Sequence, residues 1–514
     1  DDLDRIEENM MRAIDRVPVV GKAGIKRVIN GPMIWSPDSN VLYGPHPDLK
    51  KYFCCNGIIP GFSQSGGMGL MSAQWMVDGE SQYDMFAWDV ARFGDWADKA
   101  FTKARVGDQY AKRFAIHFPN EEREAGRPVR TRPIHELQKA LGGVFGLNYG
   151  WEHAQWFAEA PGVRDTNGFT RQNWFEPVGS ECRMLRENAG IIDISNFAKY
   201  CVRGMKAADW LNAIFANNMP KAVGRSCLTP LIGVRGGIAG DFTVTRLADD
   251  EFMIIGSGMA ERYHQRFWNM VPMPEGVTFE SLTEAMCGFN VAGPKSRELL
   301  QRLTNTSLAT ADFPFMRSQR IELAGVDCVA LRVSYTGDLG WELHCNTEDQ
   351  LRLYQALLYA GKAFGAGPVG GRALMSLRVE KGYGSWSREF SPEYWPQEVG
   401  LAGLIKLDKE FLHKQAYLAI KDNPPREMLS IVEILDVTIA DATGGEPIFD
   451  KAGNGVGRVT SGTYGYGVNK SLALCYLKNV TPGEELDVMV LGVPHLAVVL
   501  AEPPFDPSGA KLRG

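Results

Sequence analysis

The stretch Gly57-Ile58-Ile59-Pro60-Gly61-Phe62-Ser63-Gln64-Ser65-Gly66-Gly67-Met68-Gly69-Leu70 constrains this chain more than any other. Its glycines let a backbone turn sharply and approach a flat ligand closely. It runs into the amphipathic segment Met71 to Val77, closed by Asp78-Gly79. The stretch therefore reads as a glycine-rich turn feeding a helix. The start of such a helix presents unpaired N–H groups and a partial positive charge, which suit an electron-rich oxygen. An ordinary loop-to-helix turn has the same spacing, so both readings stay open on spacing alone. A dinucleotide fold needs GxGxxG between an early strand and helix, with an acidic residue about 20 positions on. Nothing before residue 60 supplies it, and Gly66-Gly67-x-Gly69 lacks both the spacing and the following strand.

At 514 residues the chain is expected to hold several domains, on a prior of about 150 residues each. The net charge is -6, with no global basic field for nucleic acid. No apolar run approaches the roughly 18 residues of a membrane span. The chain opens on Asp1 with no signal-peptide pattern, which implies a processed protein or a missing front. Nine cysteines are scattered with no CxxC pair, and the eight histidines do not cluster. No structural zinc site is expected from that spacing, and no metal ligand is assigned. The thiols read as reduced and mostly buried, in the cytoplasm or alternatively the mitochondrial matrix.

Residues 1–80 read as the end of a larger α/β unit: a charged helix from Asp4 to Asp15, a strand broken by a turn over Ile25 to Pro32, and a short strand between Leu49 and Gly57. Residues 81–135 are aromatic and charged, with Phe86, Trp88, Phe93, Trp96 and Phe101 in a connecting layer. Helical spacing there fits Asp89 to Arg113, and Pro119 to Pro133 reads as an extended surface crossing. Residues 136–410 alternate strand, turn and helix. From about 425 short strands lie between glycine turns, at Leu429–Leu435, Gly457–Thr463, Leu472–Leu477, Leu486–Val490 and His495–Ala501, a spacing that suggests a small β-barrel.

Four segments carry a family resemblance. The first is Gly31-Pro32-Met33-Ile34-Trp35-Ser36-Pro37-Asp38-Ser39-Asn40, with Gly44-Pro45 and the glycine stretch behind it. The second is Ala115-Ile116-His117-Phe118-Pro119, Glu122-Arg123 and Gly126-Arg127-Pro128, then Gly146 and Tyr149-Gly150-Trp151-Glu152. The third is Phe289-Asn290-Val291-Ala292-Gly293-Pro294-Lys295-Ser296-Arg297 with Ser334-Tyr335-Thr336-Gly337-Asp338-Leu339-Gly340-Trp341-Glu342-Leu343. The fourth is Ser376-Leu377-Arg378-Val379-Glu380-Lys381-Gly382-Tyr383. In this order they resemble the FAD-dependent dimethylglycine and sarcosine dehydrogenases, whose rear part is similar to the folate-binding glycine-cleavage T-protein (aminomethyltransferase). The resemblance implies an α+β, mixed α/β multidomain chain: a partial flavin-oxidoreductase domain (1–80), a linking domain (81–135), a T-protein-like folate-binding domain (136–420) and the C-terminal β-barrel (421–514). The family's usual front half, with the dinucleotide glycines, is absent from this sequence.

The resemblance also implies roles for residues. Gly61, Ser65, Gly66, Gly67, Met68 and Gly69 would lie against the flavin. Gly236-Gly237-Ile238-Ala239-Gly240-Asp241-Phe242-Thr243-Val244-Thr245-Arg246 reads as a glycine turn entering a strand, with Asp241 at the turn's end. Many relatives carry two acids in a row there; here the first place is Gly240. Asp241 would face the folate nitrogens that accept the one-carbon unit, stabilising cationic charge and relaying a proton. On its residues alone it reads equally as a turn aspartate bonding its own backbone. Glu342 would accept the paired donors of the pterin ring, or else is a solvated strand residue. Tyr335 would contact the ring or sit in the core. Arg378 would meet the folate's glutamate tail, or form an ion pair with Glu380 or Glu342. Trp386 and Arg388 follow on a loop beside the same place.

The activity so implied is oxidative N-demethylation of dimethylglycine or sarcosine, with FAD taking the electrons and tetrahydrofolate taking the carbon as 5,10-methylenetetrahydrofolate. A small methylated amine and an electron-acceptor protein are the partners it implies. Two other readings stand beside it: a folate-dependent aminomethyltransferase or demethylase without redox chemistry, and a noncatalytic folate-binding subunit of a flavin enzyme.

Overall fold

A computed structural model describes residues 3–59 and 61–514; Pro60, inside the glycine-rich stretch, lies outside the described residues. The glycines do not form the expected turn. Gly61–Asp78 is one α-helix. Met68, Met71 and Trp75 recur at helical spacing and pack as one face against Val41, Tyr43 and Phe53 beside the hairpin Leu42–Pro45/Phe53–Asn56. The Tyr43 hydroxyl donates to the Met68 carbonyl at 2.9 Å, fixing the helix in its middle. This docked face outweighs the helix cost of glycine, about 1 kcal/mol each. Gly66, Gly67 and Gly69 have open space where a Cβ would stand.

Two further expectations give way. Ile25 to Pro32 forms no strand; the segment is irregular and Ile29 is 80% exposed, since no partner strand reaches it. The long helix expected over Asp89 to Arg113 is shorter, Lys99–Ala111, because Asp98 caps it by accepting the Phe101 amide at 2.8 Å. Pro119 to Pro133 is irregular, as expected, but it carries buried charge inward. Arg127 forks onto Glu152 at 3.0 and 2.6 Å.

The centre of the chain is two antiparallel sheets. The five-stranded one runs Thr278–Ser281, Ala198–Arg203, Glu251–Gly256, Ile238–Ala248, Ser226–Ile232. Its outer face packs on Ala207–Ile214 and Glu261–Trp268, where Trp210, Trp268, Phe242 and Phe252 build the largest core. The six-stranded one runs Ser318–Leu323, Val326–Leu331, Gly340–Asn346, Met286–Ala292, Gly190–Asp193, Gly367–Val369, with only the last pair parallel. Its outer face is covered by Ser296–Gln301 and Gln350–Gly361. The C-terminal strands close a six-stranded barrel, with Met428–Ile434 pairing both Lys470–Leu477 and Val493–Val499. The mixed α/β architecture with a terminal barrel is therefore the observed one.

The helix 61–78 carries its own test. Gly67→Ala places a methyl group in open space within a helix, so stability to urea should rise by about 0.5–1 kcal/mol. A loss of that size would restore the turn.

Candidate functional site

Strand registers fix where the two acids point. Lys199 pairs with Ile255 and Ile255 with Thr243. Opposed residues share a face, and residues two apart along a strand share it too. Asp241 therefore lies on the face of Thr243, Ile255 and Lys199, while Phe242 and Val244 point into the helix-covered core. In the other sheet Leu331 pairs with Glu342, Glu342 with Asn290, and Val329 with His344. These share a face opposite to Trp341 and Leu343, which enter the outer core. Met253 and Ile255 pack on Val329 and Leu331. The two faces are thus apposed, and Asp241 and Glu342 both line the space between the sheets. Packed sheets stand about 10 Å apart, the distance across which the two acids face each other's sheet.

Asp241 is the fourth residue of Ile238–Ala248, not the end of the turn. The turning is done earlier, at Gly236, whose φ is +87°. Asp241 keeps partial solvent access, yet surrounding protein pushes its carboxyl up to about 6. Desolvation of the charged form is the cause, with its own backbone N–H pulling back. A side chain at Gly240 has no room: its Cβ would stand 2.7 Å from the Phe242 ring and 2.8 Å from Nε2 of His264. His264 fills that space as a buried, neutral ring, its pKa lowered to about 3 by burial. Asp241 is thus the acid of this strand segment.

Tyr335 lies on the loop after Val326–Leu331. Its hydroxyl donates to the Gly384 carbonyl at 2.5 Å and its ring stacks on Tyr383 at 6.0 Å. Burial raises its pKa, Arg378 opposes that, and the charge of Asp241 adds to it. Tyr335 and Asp241 therefore share one electrostatic neighbourhood.

Glu342 has a side chain 18% exposed, with the Nε2 of fully buried His344 at 3.5 Å. Burial lowers the His344 pKa, Glu342 pulling the other way, so the ring beside the carboxylate is neutral near pH 7. Lys199 sits on the facing sheet, wholly buried, its ammonium donating to the Ser195 and Phe197 carbonyls at 3.0 and 2.9 Å. Burial pushes it down to about 8, while Glu342 and Asp193 counteract. Neither Lys199 nor His344 stood out in the sequence, although a lone lysine in the apolar strand Ala-Lys-Tyr-Cys-Val was a usable signal.

Arg378 is corrected. It is fully buried and donates to Glu389 at 2.8 Å, the Tyr383 carbonyl at 2.9 Å and the Ser461 hydroxyl at 2.7 Å. These three partners engage both terminal nitrogens of the guanidinium, while its buried Nε has none among the described residues. Its partner is Glu389, neither Glu380 nor Glu342; Glu380 pairs with Arg186 at 2.6 Å. The neighbouring Arg388 is exposed, acts electrostatically on the same group of residues, and makes no ion pair among the described residues. Trp386 is buried against Tyr263 and His264 at 5.7 and 5.0 Å. The residues expected at a flavin belong to the Gly61–Asp78 helix and its cluster around Tyr43, apart from the interlayer. Beyond its first turn a helix has its N–H groups paired internally, so the amides of Gly66, Gly67 and Gly69 are not open donors.

The chain matches the GCVT N-terminal domain over residues 134–409, the FAD dependent oxidoreductase central domain over 78–131 and the glycine cleavage T-protein C-terminal barrel domain over 432–506. It is 34% identical to mouse (Mus musculus) mitochondrial dimethylglycine dehydrogenase, across 100% of this chain and 60% of that protein. It is 31% identical to the formaldehyde-forming 4-methylaminobutanoate oxidase of Paenarthrobacter nicotinovorans, across 97% of this chain and 61% of the relative. It thus spans about 60% of the length of these curated relatives. The crystal structure of the glycine cleavage aminomethyltransferase T from Bartonella henselae shares the fold, with a TM-score of 0.64 at 22% identity over 74% of this chain and 98% of that one.

Two measurements follow from the geometry. Arg378→Met strands a buried Glu389 and should cost about 3–5 kcal/mol, while the double variant Arg378→Met/Glu389→Met should recover most of it in denaturant melts. Asp241 is easier to protonate folded than unfolded, so its ionisation opposes folding as pH rises through about 6. Asp241→Asn should therefore stabilise the fold by on the order of 2 kcal/mol near neutral pH, and the gain should vanish below about pH 4. Equal melting curves across that range would contradict it.

Proposed function

The chain belongs to the GCVT N-terminal domain family, and on that premise we propose that it is the folate-handling part of an enzyme that oxidatively demethylates dimethylglycine or sarcosine and passes the carbon to tetrahydrofolate. The observation that carries this reading is the apposition of Asp241 and Glu342 on facing sheets. The donor set fits the ligand: two carboxylate acceptors face one space, and the nearby Lys199 ammonium is turned onto backbone carbonyls. Reduced folate, when bound, supplies the nitrogens that take up the one-carbon unit, giving 5,10-methylenetetrahydrofolate.

Glu342 accepts the ring N–H and the exocyclic amine of the pterin as a pair, and charge assistance makes those bonds strong. His344 flanks it as a neutral ring, so no ion pair with it competes with the ligand. Asp241, poised near 6, receives a proton from the folate amine and, ionised, stabilises cationic charge beside it. Tyr335 offers a ring face held by Gly384 and Tyr383. Arg388, exposed beside the Arg378–Glu389 pair, takes the tail role in this reading. For FAD the chain supplies only part of a site: a helix with an open glycine face and no dinucleotide fingerprint. The oxidative step is accordingly assigned to the whole protein and to none of these residues. The methylated amine and an electron-acceptor protein are its partners in this reading, and an intracellular compartment, cytoplasm or mitochondrial matrix, suits its nine free cysteines.

Calorimetric titration with tetrahydrofolate tests this reading. Glu342→Ala should weaken binding about tenfold or more, the worth of a lost charge-assisted pair. Asp241→Ala should bind nearly as tightly, yet slow methylene transfer in the full-length enzyme by about 10²–10⁴. Unchanged affinity in Glu342→Ala removes the pterin assignment, and an unchanged transfer rate removes the role of Asp241.

A further inference from the structure

A cavity of about 200 Å³ lies away from the interlayer, between the C-terminal end of Gly61–Asp78 with the segment behind it and the helix Glu261–Trp268. Its walls are mostly apolar, with Trp75, Phe86, Tyr263 and Phe267 among them. Phe86 meets Tyr263 edge-on at 5.5 Å and Tyr263 meets Phe267 at 5.4 Å, so three of these rings hold one another. Among them stands one carboxyl, Glu80, only 9% exposed. One oxygen accepts the Arg235 backbone N–H at 3.2 Å. The other accepts no hydrogen bond among the described residues.

The remaining charges near Glu80 have partners or point to solvent. Arg266, also in the wall, is held by both oxygens of Asp89. Asp84 accepts the Phe86 amide at 2.9 Å, and Glu393 accepts the Asp84 amide at 3.2 Å. The Arg235 side chain is exposed. The cavity therefore contains one anionic group with no ion-pair partner among the described residues, inside an aromatic wall. An isolated buried carboxylate is costly and takes up either a proton or a cation. Aromatic faces attract cations and suit alkylated ammonium groups best, since their methyl groups also bury apolar surface. An anion would be repelled, and a neutral apolar ligand would leave the carboxyl unused.

We propose that this cavity binds a small alkylammonium cation, its charge against Glu80 and its methyl groups on the Trp75, Phe86, Tyr263 and Phe267 rings. The proposal shares no residue with the folate site and stands or falls without it. It also fixes a pH dependence. Burial, the largest cause, pushes Glu80 up to about 7, with Arg235 lowering it and Asp84 raising it. Below that pH the cation must displace a proton, so affinity should rise with pH and level off above about 7. Asp84, itself pushed up by burial to about 6, ionises in the same direction. Tyr263 stays neutral throughout, its pKa raised by burial.

The test is calorimetric titration of the full chain with tetramethylammonium chloride, with tert-butanol as the neutral counterpart. Tetramethylammonium should bind saturably and at least about tenfold more tightly than the alcohol, and its affinity should rise about tenfold between about pH 5.5 and 6.5. Glu80→Gln should lose about tenfold in affinity and flatten the pH profile. Glu342→Ala, altered only in the interlayer, should bind the cation as the unaltered chain does. Should Glu80→Gln fail to fold, the pH profile of the unaltered chain decides. Equal binding of cation and alcohol, no saturation, or a flat pH profile overturns the proposal.

Discussion

Four apolar side chains, Met253 and Ile255 against Val329 and Leu331, hold two sheets face to face, and the candidate site exists because of that contact. A sheet alternates its side chains with a period of two, so the contact orients whatever lies further along the same strands. On one side this brings Asp241 into line with Thr243 and Ile255. On the other it sets Glu342 directly beside Leu331. A one-residue slip in either strand would turn its acid into an apolar core. Register is therefore as much a part of the site as the carboxylates themselves.

Burial then sets the chemistry. The groups around the interlayer are shifted by desolvation more than by one another: Asp241 rises towards 6, Lys199 falls towards 8 and His344 is kept neutral. A proton can thus reside on Asp241 near neutral pH, while Glu342 faces a ring that does not neutralise it. Unfavourable charge burial of this kind needs rigid support. It comes from closed pairs such as Arg378–Glu389, which ties the helix Gly371–Glu380 to the barrel through Ser461, and from Arg186 on Glu380. Buried charge pairs hold the frame, and Asp241 and Glu342 are left on the faces between the sheets.

The barrel was legible in the sequence because alternating apolar residues between glycine turns report local structure directly. The strands Lys470–Leu477 and Glu485–Val490 fall within two residues of their expected positions. Pro447–Phe449 was missed because three residues opening on proline carry no period. Glycine misled for the opposite reason. Its preference for turns is local, whereas the helix Gly61–Asp78 is decided by Met68, Met71 and Trp75 docking on Tyr43. Asp241 and Glu342 were legible as residues, but their apposition depends on two sheets separated by many strands. Arg378 was legible as a cation, and its partner Glu389 was hidden in an irregular loop. Lys199, His344 and Glu80 gain meaning only when distant elements close around them.

The most direct measurement is a crystal structure of this chain with bound tetrahydrofolate. The pterin edge is expected within hydrogen-bonding reach of the Glu342 carboxylate, and the carbon-accepting nitrogens beside Asp241. A folate bound on an outer surface, or in the aromatic cavity at Glu80 with the interlayer closed by side chains, would contradict it.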